Sequence, residues 1–121
     1  MKKGTILTAL ILFTIFFQNC KSTYIPEFIF PESLSEDERL DYEELGMSGY
    51  VHYKQFCGGC HGITHKGQSA IPNFTKEALD DYNLRFQMNR EPIHGKLDEL
   101  TDNHLDAIIT FLEFRKKEPI K

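Results

Sequence analysis

The sequence predicts an all-α domain of three to four helices, preceded by segments of a different character. Three observations carry that class. Apolar residues recur at three- and four-residue spacing in separate stretches of the C-terminal half, the period of a helix face. Two of these stretches begin after a threonine, Thr75 and Thr101, and the Thr101 hydroxyl can cap the first turn of its helix. No stretch alternates convincingly with the two-residue period of a strand.

The elements follow in order. A first helix is expected over about 47–60, with Tyr50, Tyr53 and Cys57 stacked on one face. A loop with Gly62 and Gly67 comes next. A second helix begins after Thr75 and places Leu79, Tyr82 and Phe86 on one side. Pro92 and Gly95 make residues 89–95 a loop. The last helix is the clearest. Thr101 caps it, Asp102 suits its positive end, and Leu105, Ile108, Ile109 and Leu112 form its apolar stripe. Arg115, Lys116 and Lys117 are placed in its last turns, where cations suit the dipole.

What precedes the domain is not globular in composition. Residues 1–19 read as a signal peptide of lipoprotein type: Lys2 and Lys3, then an apolar run over 4–17. That run is short of the roughly 20 residues a membrane span needs. Cys20 follows at once, placed as the lipidated residue of a lipoprotein, although Phe17 and Asn19 depart from the usual residues before it. An uncleaved membrane anchor is the other reading, and both export the chain. Residues 20–46 read as an acidic tether, with eight acids and one arginine between Glu27 and Glu44 and with Pro26 and Pro31 nearby. A solvated spacer is expected there, or an acidic docking strip. Ser35-Glu36-Asp37-Glu38 also has the form of a helix start. Residues 47–121 are the domain.

The apolar content of 40% and charged content of 26% are those of an ordinary globular chain. The net charge is -4, and loss of Lys2 and Lys3 with the signal takes it to -6. Such a chain repels phosphate, so nucleic acid is excluded as a partner and a basic redox protein or a small molecule is favoured. A domain this small buries little apolar surface unaided, and a large covalent cofactor would fill its interior.

The chemistry concentrates in Cys57-Gly58-Gly59-Cys60-His61. Cys-x-x-Cys-His is the attachment signature of a c-type haem. Residues i and i+3 share one side of a helical turn, so two thiols can meet the two vinyl groups at one porphyrin edge. His61 then lies under the iron as proximal ligand. Two other chemistries use the same residues. A redox dithiol would need a βαβ setting. A zinc site from Cys57, Cys60, His61 and His65 would need the adjacent Cys60 and His61 to ligate together, and lacks the usual loop between ligand pairs.

The flanking residues extend the pattern. Gly49, Tyr50, Tyr53, the motif itself, Gly62, Gly67 and Ile71-Pro72-Asn73-Phe74, followed by Leu100-Thr101-Asp102 and by Ile108 with Phe111, resemble the class I monohaem cytochrome c family over about residues 47–116. The resemblance implies a small cytochrome c fold, three to four helices around one covalently bound haem c. It implies that Gly49 and Tyr53 pack on Ile108 and Phe111 where the first and last helices cross. It also implies that the Pro72 carbonyl accepts from the second nitrogen of His61, fixing its tautomer.

The resemblance fails at the sixth iron ligand. The family's methionine position, counted back from Leu100, falls on Ile93, which cannot bind iron. Met88 is five residues upstream and His94 one downstream; Met47 is poorly placed. Met88, His94 or an open position are the three outcomes. His52, His65 and His104 read as surface residues. The resemblance implies electron transfer rather than catalysis, in a respiratory-type chain, and the N-terminal segment with Cys20 places the protein, membrane-anchored, on the periplasmic or cell-envelope side. The alternative is a ligand-binding or sensing module with an open iron position. A peroxidase-like enzyme would rest only on Glu91 and His94.

Overall fold

The computed structural model describes residues 24–65, 68–88 and 99–119. The signal segment, Cys20, and the expected loop with Glu91, Ile93 and His94 lie outside the described residues. The described chain is mostly helical, as the sequence predicts. Its elements are α1 (Glu36–Phe56), α2 (Gly58–His61), β1 (Thr64–His65), β2 (Gln68–Ser69), α3 (Lys76–Gln87) and α4 (Asp102–Phe114). The two short strands pair antiparallel, Thr64 opposite Ser69. This hairpin was not expected from the sequence.

Helix α1 starts eleven residues before the expected position, inside the acidic stretch. The cause is local. Ser35 forms a reciprocal capping box: the Glu38 amide donates to its Oγ at 3.3 Å, and its own amide donates to the Glu38 carboxylate at 2.8 Å. These bonds from the Ser35 backbone and side chain hold the Glu38 carboxyl below its usual range. Glu36, Asp37 and Glu38 then face the positive end of the helix. Arg39 closes the turn by donating to the carbonyls of Leu34 (3.1 Å) and Pro31 (3.3 Å). Acids that read as a solvated run by composition are thus helix-starting residues by position. Ser35→Ala is expected to cost about 0.5–2 kcal/mol, measured by urea unfolding followed by circular dichroism.

Residues 24–30 do not form a free spacer either. They lie along the end of α4. The Ile29 amide donates to the Phe114 carbonyl (2.8 Å) and the Lys116 amide to the Glu27 carbonyl (2.7 Å), with a bridge between Phe28 and Arg115. Phe28 packs edge-on to Phe111 at 6.5 Å, and Phe30 and Tyr42 each reach Phe114 at 5.3 Å. The Tyr50 hydroxyl donates to the Tyr24 carbonyl at 3.2 Å. The expectation of a solvated tether is corrected over this stretch, because its aromatic residues find partners distant in sequence.

Helix α1 packs chiefly across α4. At the crossing, a Cβ on Gly49 would collide with the Ala107 carbonyl, so only glycine lets the two backbones approach this closely. Tyr53 and Phe111 beside it are the most completely buried large side chains. Helix α3 is capped by Thr75, whose Oγ1 accepts from the Ala78 amide at 3.2 Å. It buries Leu79 and half-buries Tyr82 and Phe86, the expected face. Helix α4 is capped by Thr101 and stops at Phe114. Arg115 is extended (φ -60°, ψ 142°) rather than in a last helical turn. The difference has a tertiary cause: Arg115 pairs with the Phe28 strand segment and its guanidinium is drawn inward.

Candidate haem-binding cleft

The Cys57–His61 motif sits at a helical corner. Cys57 caps α1 through its amide bond to the Tyr53 carbonyl (2.8 Å), and α2 turns from it at once. The Cys60 and His61 amides both donate to the Cys57 carbonyl, at 3.2 and 2.9 Å. The two cysteines therefore lie on one helical turn, as thioether attachment requires. Gly62 ends the turn at φ 85°, a conformation that glycine adopts without strain. The Tyr53 hydroxyl donates to the Gly62 carbonyl at 3.0 Å and ties this corner to the core.

Beside the motif opens an apolar cleft of about 200 Å³. That is below the roughly 300–1,000 Å³ usual for ligand pockets, and the cleft is open along one side. Cys57 and His61 form one side. Phe74, Ala78, Leu79, Tyr82 and Arg85 come from the 71–75 segment and α3, and Leu105, Ile108, Ile109 and Leu112 come from α4. Tyr53 lies at its base. The His61 ring stands edge-on to Phe74 at 5.6 Å. Apolar walls with one thiol and one imidazole beside them suit a porphyrin, whose faces are apolar, whose vinyl group a thiol can take and whose iron an imidazole can ligate. The second thiol, Cys60, is exposed.

Electrostatics separate the rival uses of these residues. Burial pushes the Cys57 thiol up to about 11. A redox dithiol needs the opposite, a depressed pKa that makes thiolate near neutral pH. Burial, then the nearby Cys57, also pushes the Tyr53 phenol up to about 12, so it stays a neutral donor. Tyr82 is raised by burial in the same way. Among the described residues, no three of His, Cys, Asp and Glu converge as a zinc site would require.

The other expected residues fall as follows. The Pro72 carbonyl accepts from the Arg115 Nη2 at 2.8 Å and from the Phe74 amide at 3.1 Å. Met88 caps the end of α3, is 49% exposed and does not line the cleft. Met47 is also exposed on α1. His94 and Cys20 lie outside the described residues. His65 is exposed on β1, as expected.

His52 and His104, expected on the surface, are half-buried. Their rings lie 4.4 Å apart, tilted by 39°, between α1 and α4, with Phe56 beside them. His104 completes the cap of α4, its Nδ1 accepting from the Thr101 amide at 3.3 Å. The Nδ1 of His52 is buried without a hydrogen-bond partner. The helix crossing brings these two faces together, which spacing within either helix does not reveal.

Sequence reasoning also missed Arg115 as an interior residue. The signal was present: Ile108, Phe111 and Leu112, then Arg115 continue one stripe at helical spacing. Comparisons with protein-family models, with curated proteins and with solved structures found no match to this chain.

Proposed function

We propose that this chain is an electron-transfer protein of cytochrome c type, carrying one haem c in the cleft between α2, α3 and α4. The observation that supports this most directly is the cleft itself. It opens on Cys57 and His61, its other walls are largely apolar, and Cys60 follows on the same turn. Cys57 and Cys60 would hold the group covalently and His61 would ligate its iron. The bound group supplies a one-electron couple. The chain's own residues exclude water from its faces and keep His61 oriented. Leu79, Leu105, Ile108 and Leu112, all buried, do the first. Phe74, edge-on to the His61 ring at 5.6 Å, does the second.

Lipidation at Cys20 would anchor the chain to a membrane. Tyr24 is already held by Tyr50, so the leash from Cys20 to Tyr24 reaches at most roughly 14 Å, at about 3.3–3.6 Å per residue. The domain would work close to the bilayer surface, facing basic redox partners there, instead of swinging on a long spacer.

The test is production of the full chain with a cytochrome maturation system. Expected is a haem that stays with the polypeptide on a denaturing gel and gives the haemochrome spectrum of two saturated links. A chain that matures without haem would sink the proposal.

A second reading keeps the haem but leaves its sixth position open, for ligand binding or sensing. It is favoured by one observation: the described cleft lining contains no methionine. Met88→Ala discriminates. If Met88 ligates, its loss removes the near-infrared sulfur-to-iron band and admits carbon monoxide to the reduced protein. If the site is open, the wild type binds carbon monoxide rapidly and the variant is unchanged.

A further inference from the structure

Burial alternates along the segment that lies on the end of α4. Pro26 is buried and Phe28 and Phe30 are half-buried, whereas Ile25, Glu27 and Ile29 face outward, the two-residue period of a strand. An outward strand face is ordinarily polar. This one carries two isoleucines. Ile25 is 72% exposed and Ile29 62%, more than any other large apolar side chain among the described residues. Their direction is fixed from behind. The Ile29 amide donates to the Phe114 carbonyl, the Lys116 amide donates to the Glu27 carbonyl, and Phe28 packs edge-on to Phe111. A slip of one residue would bury the isoleucines only by turning Phe28 out.

The one charge between them is matched. The Glu27 carboxylate pairs with the Lys116 Nζ at 2.7 Å, so the strip is locally neutral on a chain of net charge -4. It is a place where this acidic chain can approach anionic lipid headgroups without repulsion. What lies before the strip names its occupant. Ile25 is within roughly 18 Å of Cys20 along the chain, at 3.3–3.6 Å per residue. A lipid at Cys20 therefore brings the strip to the bilayer surface, where apolar side chains enter the interface to a depth of about 5–10 Å.

We propose that the Ile25–Ile29 strip is a membrane-contact surface, whose two isoleucines enter the interface of the bilayer that holds the Cys20 lipid. Lys116 keeps its charge at the headgroups while its stem lies along the apolar layer. The inference rests on the anchoring at Cys20 and is independent of the haem. One lipid alone leaves the domain free to pivot. A second contact on a rigid segment fixes its tilt, and with it the direction in which the cleft faces.

The test is photolabelling of the full chain, purified from membranes and reconstituted into vesicles of phosphatidylethanolamine and phosphatidylglycerol. The vesicles carry a phospholipid with a diazirine high in its acyl chain, and adducts are mapped by mass spectrometry. Leu40, Val51 and Leu84, at 59%, 53% and 55% exposed, are internal controls elsewhere on the molecule. Expected are adducts on both Ile25 and Ile29 in clear excess over the three controls. The double variant Ile25→Ser, Ile29→Ser is expected to lose that excess at an unchanged melting point, because neither side chain is packed. Even labelling of all five positions overturns the proposal. An excess at Ile25 alone is what the tether by itself gives, and overturns it too. So does an anchored chain without lipid adducts whose Ile29 cross-links to protein, which gives the strip to a protein partner. A full chain recovered outside the membrane fraction overturns the anchor reading and this inference with it, a result distinct from an anchored chain that labels evenly.

Discussion

Replacing Cys57 and Cys60 together by serine is expected to abolish covalent haem. The readout is loss of the haem-stained band on a denaturing gel, with polypeptide still detected by antibody. His61→Ala is expected to leave attachment possible but to change the axial coordination, seen as a shift of the reduced Soret band and loss of the proximal iron–histidine stretch. The double cysteine variant also reports on folding. Without the group, the walls formed by Leu79, Leu105, Ile108 and Leu112 lose their partner atoms on one side, and with them the dispersion contacts that a filled site supplies. The domain is small and has little other core to draw on. Its melting temperature is therefore expected to fall well below that of the loaded wild type. A double variant that melts like wild type and stains equally for haem would contradict the assignment of the cleft.

The parts of this structure that the sequence made legible are those fixed locally. Thr75 and Thr101 start their helices because a hydroxyl within reach of an amide three residues on is a contact between near neighbours. The stripe of α4 and the turn through Cys57 and His61 are likewise short-range patterns. The start of α1 was also written locally, in Ser35 and Glu38, but the acidic composition around them favoured a spacer, and composition is the coarser argument. What could not be read are pairings between distant segments. Phe28 finds Arg115 and Phe111, and His52 finds His104. Nothing in the spacing around Phe28, His52 or His104 names these partners. Arg115 shows the same limit at the candidate site. Its charge argued for solvent and for the helix dipole, whereas the carbonyls of 71–73 offer it a place inside.

Phe111→Ala is expected to have the largest effect on stability of any single core change. The ring is fully buried and lies at 5.3 Å from Tyr50, 5.6 Å from Tyr53 and 6.5 Å from Phe28. It joins α1, α4 and the 24–30 segment at one point. A buried Phe→Ala change costs about 3–5 kcal/mol, a large share of the roughly 5–15 kcal/mol that stabilises a domain. At about 4–8 °C per kcal/mol for a domain of 60–100 residues, the melting point drops by more than ~10 °C. Gly49→Val attacks the same crossing from the other side. Its side chain would collide with the Ala107 carbonyl and the Phe111 Cβ, so the helices must separate, and overpacking of this kind costs about 1–3 kcal/mol or more. The two variants make a further, shared prediction. Tyr53 on α1 and Leu105, Ile108 and Leu112 on α4 wall one cleft, so loosening the crossing opens it to water. Loaded Gly49→Val is then expected to bind carbon monoxide faster than wild type and to hold its haem, since the thioethers do not depend on the crossing. Faster binding with retained haem would tie the packing of α1 on α4 to the closure of the cleft. A melting point within a few degrees of wild type in both variants would show that the crossing is not what holds the cleft walls together.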